Sequence, residues 1–99
     1  MTTTKYSYQI EPRSIELGGG WRLRLLEDDT EAGGGIFPVE VDSDSGIAWW
    51  NMCNEQERAH WLMMAASARP AGAYHAYLLA KAYADAQSMA YQWLTSRDE

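Results

Sequence analysis

The stretch LGGGWRLRLLEDDTEAGGGIFP, residues 17–38, contains two triple-glycine runs, a short apolar stretch and a knot of acids. Within it Trp21, Leu23 and Leu25 alternate with Arg22 and Arg24, the period-two pattern of a strand with one apolar and one polar face. Both glycine runs lead into strand-like sequence. A phosphate-binding loop leads from a strand into a helix whose N-terminus faces the anion, so neither run reads as a nucleotide cradle. They read as turn or bulge elements that start strands.

Upstream, Tyr6, Tyr8 and Ile10 alternate with Ser7 and Gln9 until Pro12 closes the stretch. Downstream, Phe37, Val39 and Val41 alternate with Pro38 and Glu40 and predict a third strand. Between the second and third strands, EDDTEAGGG predicts a hairpin loop longer than two residues. Residues 5–42 thus form an antiparallel β-meander in which Arg22 and Arg24 face water or the acids of a neighbouring strand.

Beyond Asp42 the period changes to that of a helix, and residues 44–97 form a helical layer. Asp44 or Ser45 is the expected N-cap of a short helix through GIAWWNM. Asn54 and Glu57 have the spacing of a capping box ahead of a helix of about fourteen residues, EQERAHWLMMAASA. Arg69-Pro70 closes that helix, and Pro70 suits the first turn of the next. From Ala71 to Ser96 the positions Lys81, Asp85, Ser88, Gln92 and Thr95 share a polar face, opposite Ala76, Leu79, Tyr83, Ala86, Ala90, Trp93 and Leu94. The fold class is α+β: a three-stranded antiparallel meander, then a short helix and two longer ones packed on one face of the sheet, in one domain of 99 residues.

The net charge of −6 is unevenly placed, with nine acids against four bases in residues 1–50 and five against four thereafter. Glu27, Asp28, Asp29, Glu31, Glu40, Asp42 and Asp44 follow one another without an intervening Lys or Arg. Such a surface repels a phosphate backbone, so direct nucleic-acid binding is not expected; a basic protein surface is the complementary partner. Five Trp and six Tyr are many for this length. The adjacent Trp49 and Trp50 point about 100° apart on a helix and cannot be equally buried, so an exposed indole ringed by acids would suit a protein partner.

Cys53, His60 and His75 are the soft-metal or nucleophile–base candidates, and their spacings of seven and fifteen match no common zinc pattern. The run Asp42-Ser43-Asp44-Ser45-Gly46 departs from a calcium loop in its glycine position and in having Cys53 where a glutamate belongs. No catalytic, metal or cofactor site is assigned. The lone cysteine and the absence of a signal-like or membrane-spanning apolar run predict a cytoplasmic protein that binds no membrane. An exposed sheet edge is compatible with a homodimer.

The succession Tyr6-to-Pro12, GGGWRLRL, GGGIFP, WWN, ERAHWL, SARPA and AYADA followed by WL resembles small proteins carried on phages and integrative elements of proteobacteria. Some acidic proteins of that setting are anti-CRISPR inhibitors, which occupy the basic nucleic-acid surface of a nuclease complex. A partial resemblance, through YSYQIEP, GGGWRLRL, GGGIFP and AYADAQSMAYQWL, is to the HicB-type antitoxin fold. The chain departs from that pattern by about thirty residues of extra helix and by lacking a DNA-binding tail. The first resemblance implies a protein-binding inhibitor and the second a regulator that neutralises a small basic toxin. The expected function is a non-enzymatic protein-binding module acting through Glu27, Asp28, Asp29, Glu31, Glu40, Asp42 and Asp44 together with Trp49 and Trp50. The competing class is a small enzyme or metal protein built on Cys53, His60 and His75.

Overall fold

A computed structural model describes residues 3–97. Strands β1 (Tyr6–Pro12), β2 (Trp21–Glu27) and β3 (Thr30–Phe37) form an antiparallel sheet in the order β1-β2-β3, followed by helices α1 (Ser43–Met52), α2 (Glu55–Ala65) and α3 (Pro70–Arg97). The architecture is α+β. The chain divides into two compact units, the first made of residues through Pro38 together with those from Ala82 onward, the second of Val39–Lys81.

In the first unit, Leu23 and Leu25 of β2 pack with Ala86 and Ala90 of α3 in a buried cluster edged by Tyr8, Ile10, Phe37 and Trp93. The two alanines lie four residues apart on one helix face, where their small side chains let the helix backbone approach the sheet. Around this contact the larger rings meet edge-on: Tyr6 with Trp93 at 5.5 Å, Tyr8 with Tyr91 at 5.8 Å and Trp21 with Tyr83 at 5.0 Å between centroids. Edge-to-face pairs add roughly 0.5–1.5 kcal/mol each beyond the area they bury. The Tyr8 and Tyr91 hydroxyls share a hydrogen bond at 3.4 Å, and this pairing with a second phenol holds the Tyr91 hydroxyl above its ordinary pKa. The polar face expected for α3 is in place, with Lys81, Asp85, Ser88, Gln92 and Thr95 all exposed.

The opposite face of the sheet is a charged ladder. Arg24 binds Glu11 of β1 at 3.1 Å and Glu31 of β3 at 3.1 Å, and Arg22 reaches the same Glu31 oxygen at 3.2 Å. The two arginines therefore meet the acids of both neighbouring strands, as the alternation of β2 predicts. The hydrogen bonds that Arg24 donates to Glu11 and Glu31 raise its pKa further.

The β2–β3 connection differs from expectation. Glu27 pairs with Thr30, leaving a two-residue turn, Asp28-Asp29, in which both residues have positive φ (51° and 68°). Consecutive left-handed residues make the turn whose twist matches that of the flanking strands, and aspartate tolerates the conformation better than most residues. The second glycine run is therefore strand, not loop. Pairing Leu25 with Gly33 and Leu26 with Glu31 leaves Ala32 as the extra residue of a β-bulge. At Gly34 a Cβ would collide with the Leu23 carbonyl oxygen, so the strand can lie this close to β2 only with glycine there. Residues 38–42 lie outside the strands: the alternation of Phe37, Val39 and Val41 is present, but no neighbouring strand pairs beyond Trp21↔Phe37.

The first glycine run does turn the chain into β2. Gly18, Gly19 and Gly20 all have positive φ. Arg13 fastens the turn by donating to the carbonyls of Leu17 and Gly19 at 2.6 and 2.9 Å.

In the second unit, Asp42 is the N-cap of α1, not Asp44 or Ser45; its carboxylate accepts from the Ser45 N–H at 3.0 Å and from the Ser45 hydroxyl at 2.6 Å. Asn54 and Glu57 form the anticipated capping box of α2, with bonds of 2.8 and 3.1 Å. α2 ends at Ala65, earlier than its apolar sequence suggests, because Ala66 takes a left-handed conformation (φ 50°). Ser67 N–H then bonds the Leu62 carbonyl and Ala66 N–H that of Met63, a Schellman closure. Among the described residues no helix is long and apolar enough to cross a membrane.

Candidate functional site

An apolar concavity lies within the second unit. Val41, Gly46, Ile47, Trp50, Pro70, Ala71 and Tyr74 line a groove of about 350 Å³, with Asp42 and Ser43 at its polar edge. Its walls come from the N-terminal half of α1 and the first turns of α3. Asp42 sets where α1 begins, and Pro70 at the first helical position sets where α3 begins, so both walls are fixed by helix starts.

The floor is aromatic. Tyr74, 9% exposed, packs against the bare backbone of Gly46, and its ring meets that of Trp49 at 5.4 Å. Tyr77 meets Trp49 at 5.0 Å and Trp61 of α2 at 5.5 Å. Arg58 of α2 lies over the Trp50 ring, 4.9 Å from its centroid, while its Nε donates to the Trp50 carbonyl at 3.0 Å. One guanidinium thus ties α2 to the end of α1 and supports the indole that lines the groove. Trp49 and Trp50 are both half-buried and neither is fully exposed, Trp49 among the tyrosines and Trp50 beneath Arg58. By contrast Val41 and Ile47 at the mouth remain 51% and 62% exposed. Those two aliphatic side chains contribute apolar surface that folding does not cover.

The surroundings are acidic. From residue 39 to residue 57 there are five carboxylates (Glu40, Asp42, Asp44, Glu55 and Glu57) and no Lys or Arg. Glu40 and Asp44 are exposed, and among the described residues no ion pair engages them. Asp42 is committed to its cap, and the bonds from the Ser45 hydroxyl and N–H hold its carboxyl below the usual carboxylate range. Asp44 sits in the first turn of α1, where a negative charge is favoured by the helix dipole.

The other acids expected at a binding surface, Glu27, Asp28, Asp29 and Glu31, belong to the β2–β3 hairpin of the first unit, so the seven carboxylates do not make one cluster within either unit. Asp28 accepts from the Lys5 backbone N–H at 2.9 Å, fastening the turn to the start of β1. Glu31 is consumed by Arg22 and Arg24. Glu27 and Asp29 are exposed, and among the described residues no ion pair engages them.

Cys53 follows α1 as its C-cap, and desolvation raises its thiol pKa, with the neighbouring Glu57 adding to the effect; this is the opposite of nucleophile activation. His60 is exposed, its ring edge-on to Trp61 at 4.7 Å, and His75 is half-buried on α3. Among the described residues no three His, Cys, Asp or Glu side chains are grouped so as to hold a metal ion.

Of the residues singled out from the sequence, Trp50 and Asp42 line this groove while Glu40 and Asp44 do not; Val41, Ile47, Pro70, Ala71 and Tyr74 were not expected to share one groove. The exposed aliphatic Ile47 beside two tryptophans was the available signal. No protein-family model, curated protein or solved structure shows a significant match to the chain.

Proposed function

We propose that this protein is a non-enzymatic binding module that captures a basic segment of a partner protein, taking an aliphatic or aromatic side chain into the groove between α1 and the start of α3. The observation that carries the reading is the groove itself: apolar walls, two uncovered aliphatic residues at the mouth and unpaired carboxylates close by in sequence. Apolar anchors supply affinity, and rim charges supply orientation and association rate. Glu40 and Asp44 meet the Lys or Arg residues that flank the anchor. The resemblance to phage- and element-borne proteins suggests a host defence complex with a basic nucleic-acid surface as the source of such a segment. The HicB-like alternative places a small basic toxin there instead; both partners have the chemistry that the groove requires.

The test is selection of binders from a random peptide library displayed against the full chain. Selected peptides should carry one large apolar residue flanked by Lys or Arg. A consensus that lacks basic residues, or one that binds Ile47→Asp as well as the unaltered protein, overturns the reading.

A further inference from the structure

The second feature of the molecule without a partner is an edge of the sheet in the first unit. β3 pairs with β2 on one side only, so along its other side backbone N–H and C=O groups from Thr30 to Phe37 have no strand opposite them. The strand is open to solvent: Thr30 to Gly34 are exposed, and Ile36 is 61% exposed. Proteins commonly guard such edges with proline, lysine or an inward-pointing charge. β3 has no proline or lysine between Thr30 and Phe37, its Glu31 is engaged by Arg22 and Arg24, and its β-bulge at Ala32 lies on the hairpin side of the glycine run, leaving residues 33–36 without such a guard. The other edge strand, β1, is better protected, since most of its residues are half-buried and Pro12 closes it.

Two further details shape what can lie against β3. Gly33, Gly34 and Gly35 present no side chains, and a shallow open trough of about 550 Å³ runs over them between Arg22, Glu31 and Ile36. An incoming main chain therefore meets no steric barrier at the centre of the edge, and Ile36 offers one apolar contact. At the hairpin end of the same strand stand three acids, Glu27, Asp28 and Asp29, with Lys5 as the one base beside the turn, while Arg22 and Arg24 are already bound to Glu11 and Glu31. The charge left over at this end is negative.

We infer that β3 accepts an added strand from a basic extended segment of a partner protein, with main-chain hydrogen bonds formed along the glycine run and Lys or Arg side chains meeting Glu27 and Asp29 at the hairpin end. Backbone pairing gives such an interaction its affinity, and the charges choose between basic and acidic strands. A second copy of this chain is the less favoured occupant: parallel pairing of two β3 edges brings together two hairpins that each carry three acids against one Lys, and antiparallel pairing sets those acids beside the Phe37 end of the other copy, where the sheet's arginines are already engaged. This site is independent of the groove in the second unit and uses none of its residues.

The probe is a seven-residue peptide of alternating Lys and Val, with a Glu–Val peptide of the same length as control, titrated into the isotopically labelled full chain while backbone amide shifts and hydrogen exchange are followed. The expected result is shifts and slowed exchange for residues 31–36 with the Lys–Val peptide, with residues 41–50 unmoved, and binding of the Glu–Val peptide at least about tenfold weaker. The double substitution Glu27→Gln, Asp29→Asn leaves the Asp28 bond to the Lys5 N–H in place, keeps at position 29 a residue that tolerates positive φ, and should weaken the Lys–Val peptide by about three- to tenfold. Equal responses to the two peptides, shifts that fall elsewhere, or concentration-dependent self-association through β3 without peptide each overturn the inference.

Discussion

Two identical substitutions at adjacent positions, Gly33→Ala and Gly34→Ala, should change stability in opposite directions. At Gly33 an added Cβ would sit 3.7 Å from Leu25 Cδ1, an ordinary contact on the side of the sheet that faces α3. Its main effect is to restrict the unfolded chain, a gain of about 0.4–1 kcal/mol where the native conformation tolerates alanine. At Gly34 the same atom would overlap the Leu23 carbonyl oxygen and lie 3.2 Å from the Leu23 carbonyl carbon, both backbone atoms that no rotamer change can move. Relief requires β3 to lift from β2 beside Leu23, the largest fully buried side chain at 1% exposure. Overpacking of this kind costs about 1–3 kcal/mol, and disrupted pairing beside the core puts the value at the upper end. Against a total stability of roughly 5–15 kcal/mol, the two variants should differ by about 3 kcal/mol. Urea unfolding followed by tryptophan fluorescence and far-ultraviolet dichroism measures this directly, at about 4–8 °C of melting temperature per kcal/mol in a parallel thermal scan. If both variants fall within about 0.5 kcal/mol of the unaltered protein, the range of ordinary surface substitutions, then residues 33–35 form a flexed loop and the strand assignment is wrong.

Ala66→Gly should stabilise the protein by about 0.5–1 kcal/mol, since Ala66 holds a left-handed conformation at the end of α2 that glycine adopts freely, whereas Ala59→Gly on the exposed middle of the same helix should cost about 1 kcal/mol; urea midpoints compare the two. Asp42→Ala should lower the melting temperature by removing the α1 cap, and Asp42→Asn should lower it less, because asparagine also caps. The folded pKa of Asp42 is depressed, so its ionised form contributes stability above the unfolded carboxyl pKa, roughly pH 4, and loses it as pH falls through the lower folded value. The advantage of the unaltered protein over Asp42→Asn should thus be constant from about pH 5 upward and shrink in melts below about pH 4.

Local chemistry made the helical half legible. The capping box at Asn54 and Glu57, the break around Cys53, Pro70 at a helix start and the polar face of α3 are each written in residues a few positions apart, and all four are realised. The first two strands were legible for the same reason. β3 was not, because its glycines have low strand propensity and lie in a strand only through pairing with β2, while the real turn uses two aspartates in place of the usual Asn-Gly. The alternation at Phe37, Val39 and Val41 was a true pattern without a neighbouring strand to use it. The cap of α1, expected at Asp44 or Ser45, falls two or three residues earlier because the aspartates and serines at 42–45 are all competent caps, and only the hydrogen bonds of Asp42 choose among them. The groove was hidden for a different reason: Ile47 and Trp50 come from one helix, Pro70 and Tyr74 from another, and no sequence period connects them.

The most direct measurement is the affinity of a selected basic, apolar-anchored peptide for the unaltered chain and for Ile47→Asp, by calorimetry at low and physiological salt. Ile47 is 62% exposed, so the substitution leaves the fold within about 0.5 kcal/mol of its original stability. The groove reading predicts a loss of at least about tenfold in affinity, and affinity for the unaltered protein that weakens as salt rises. Equal binding by the two proteins in a salt-independent manner would contradict it.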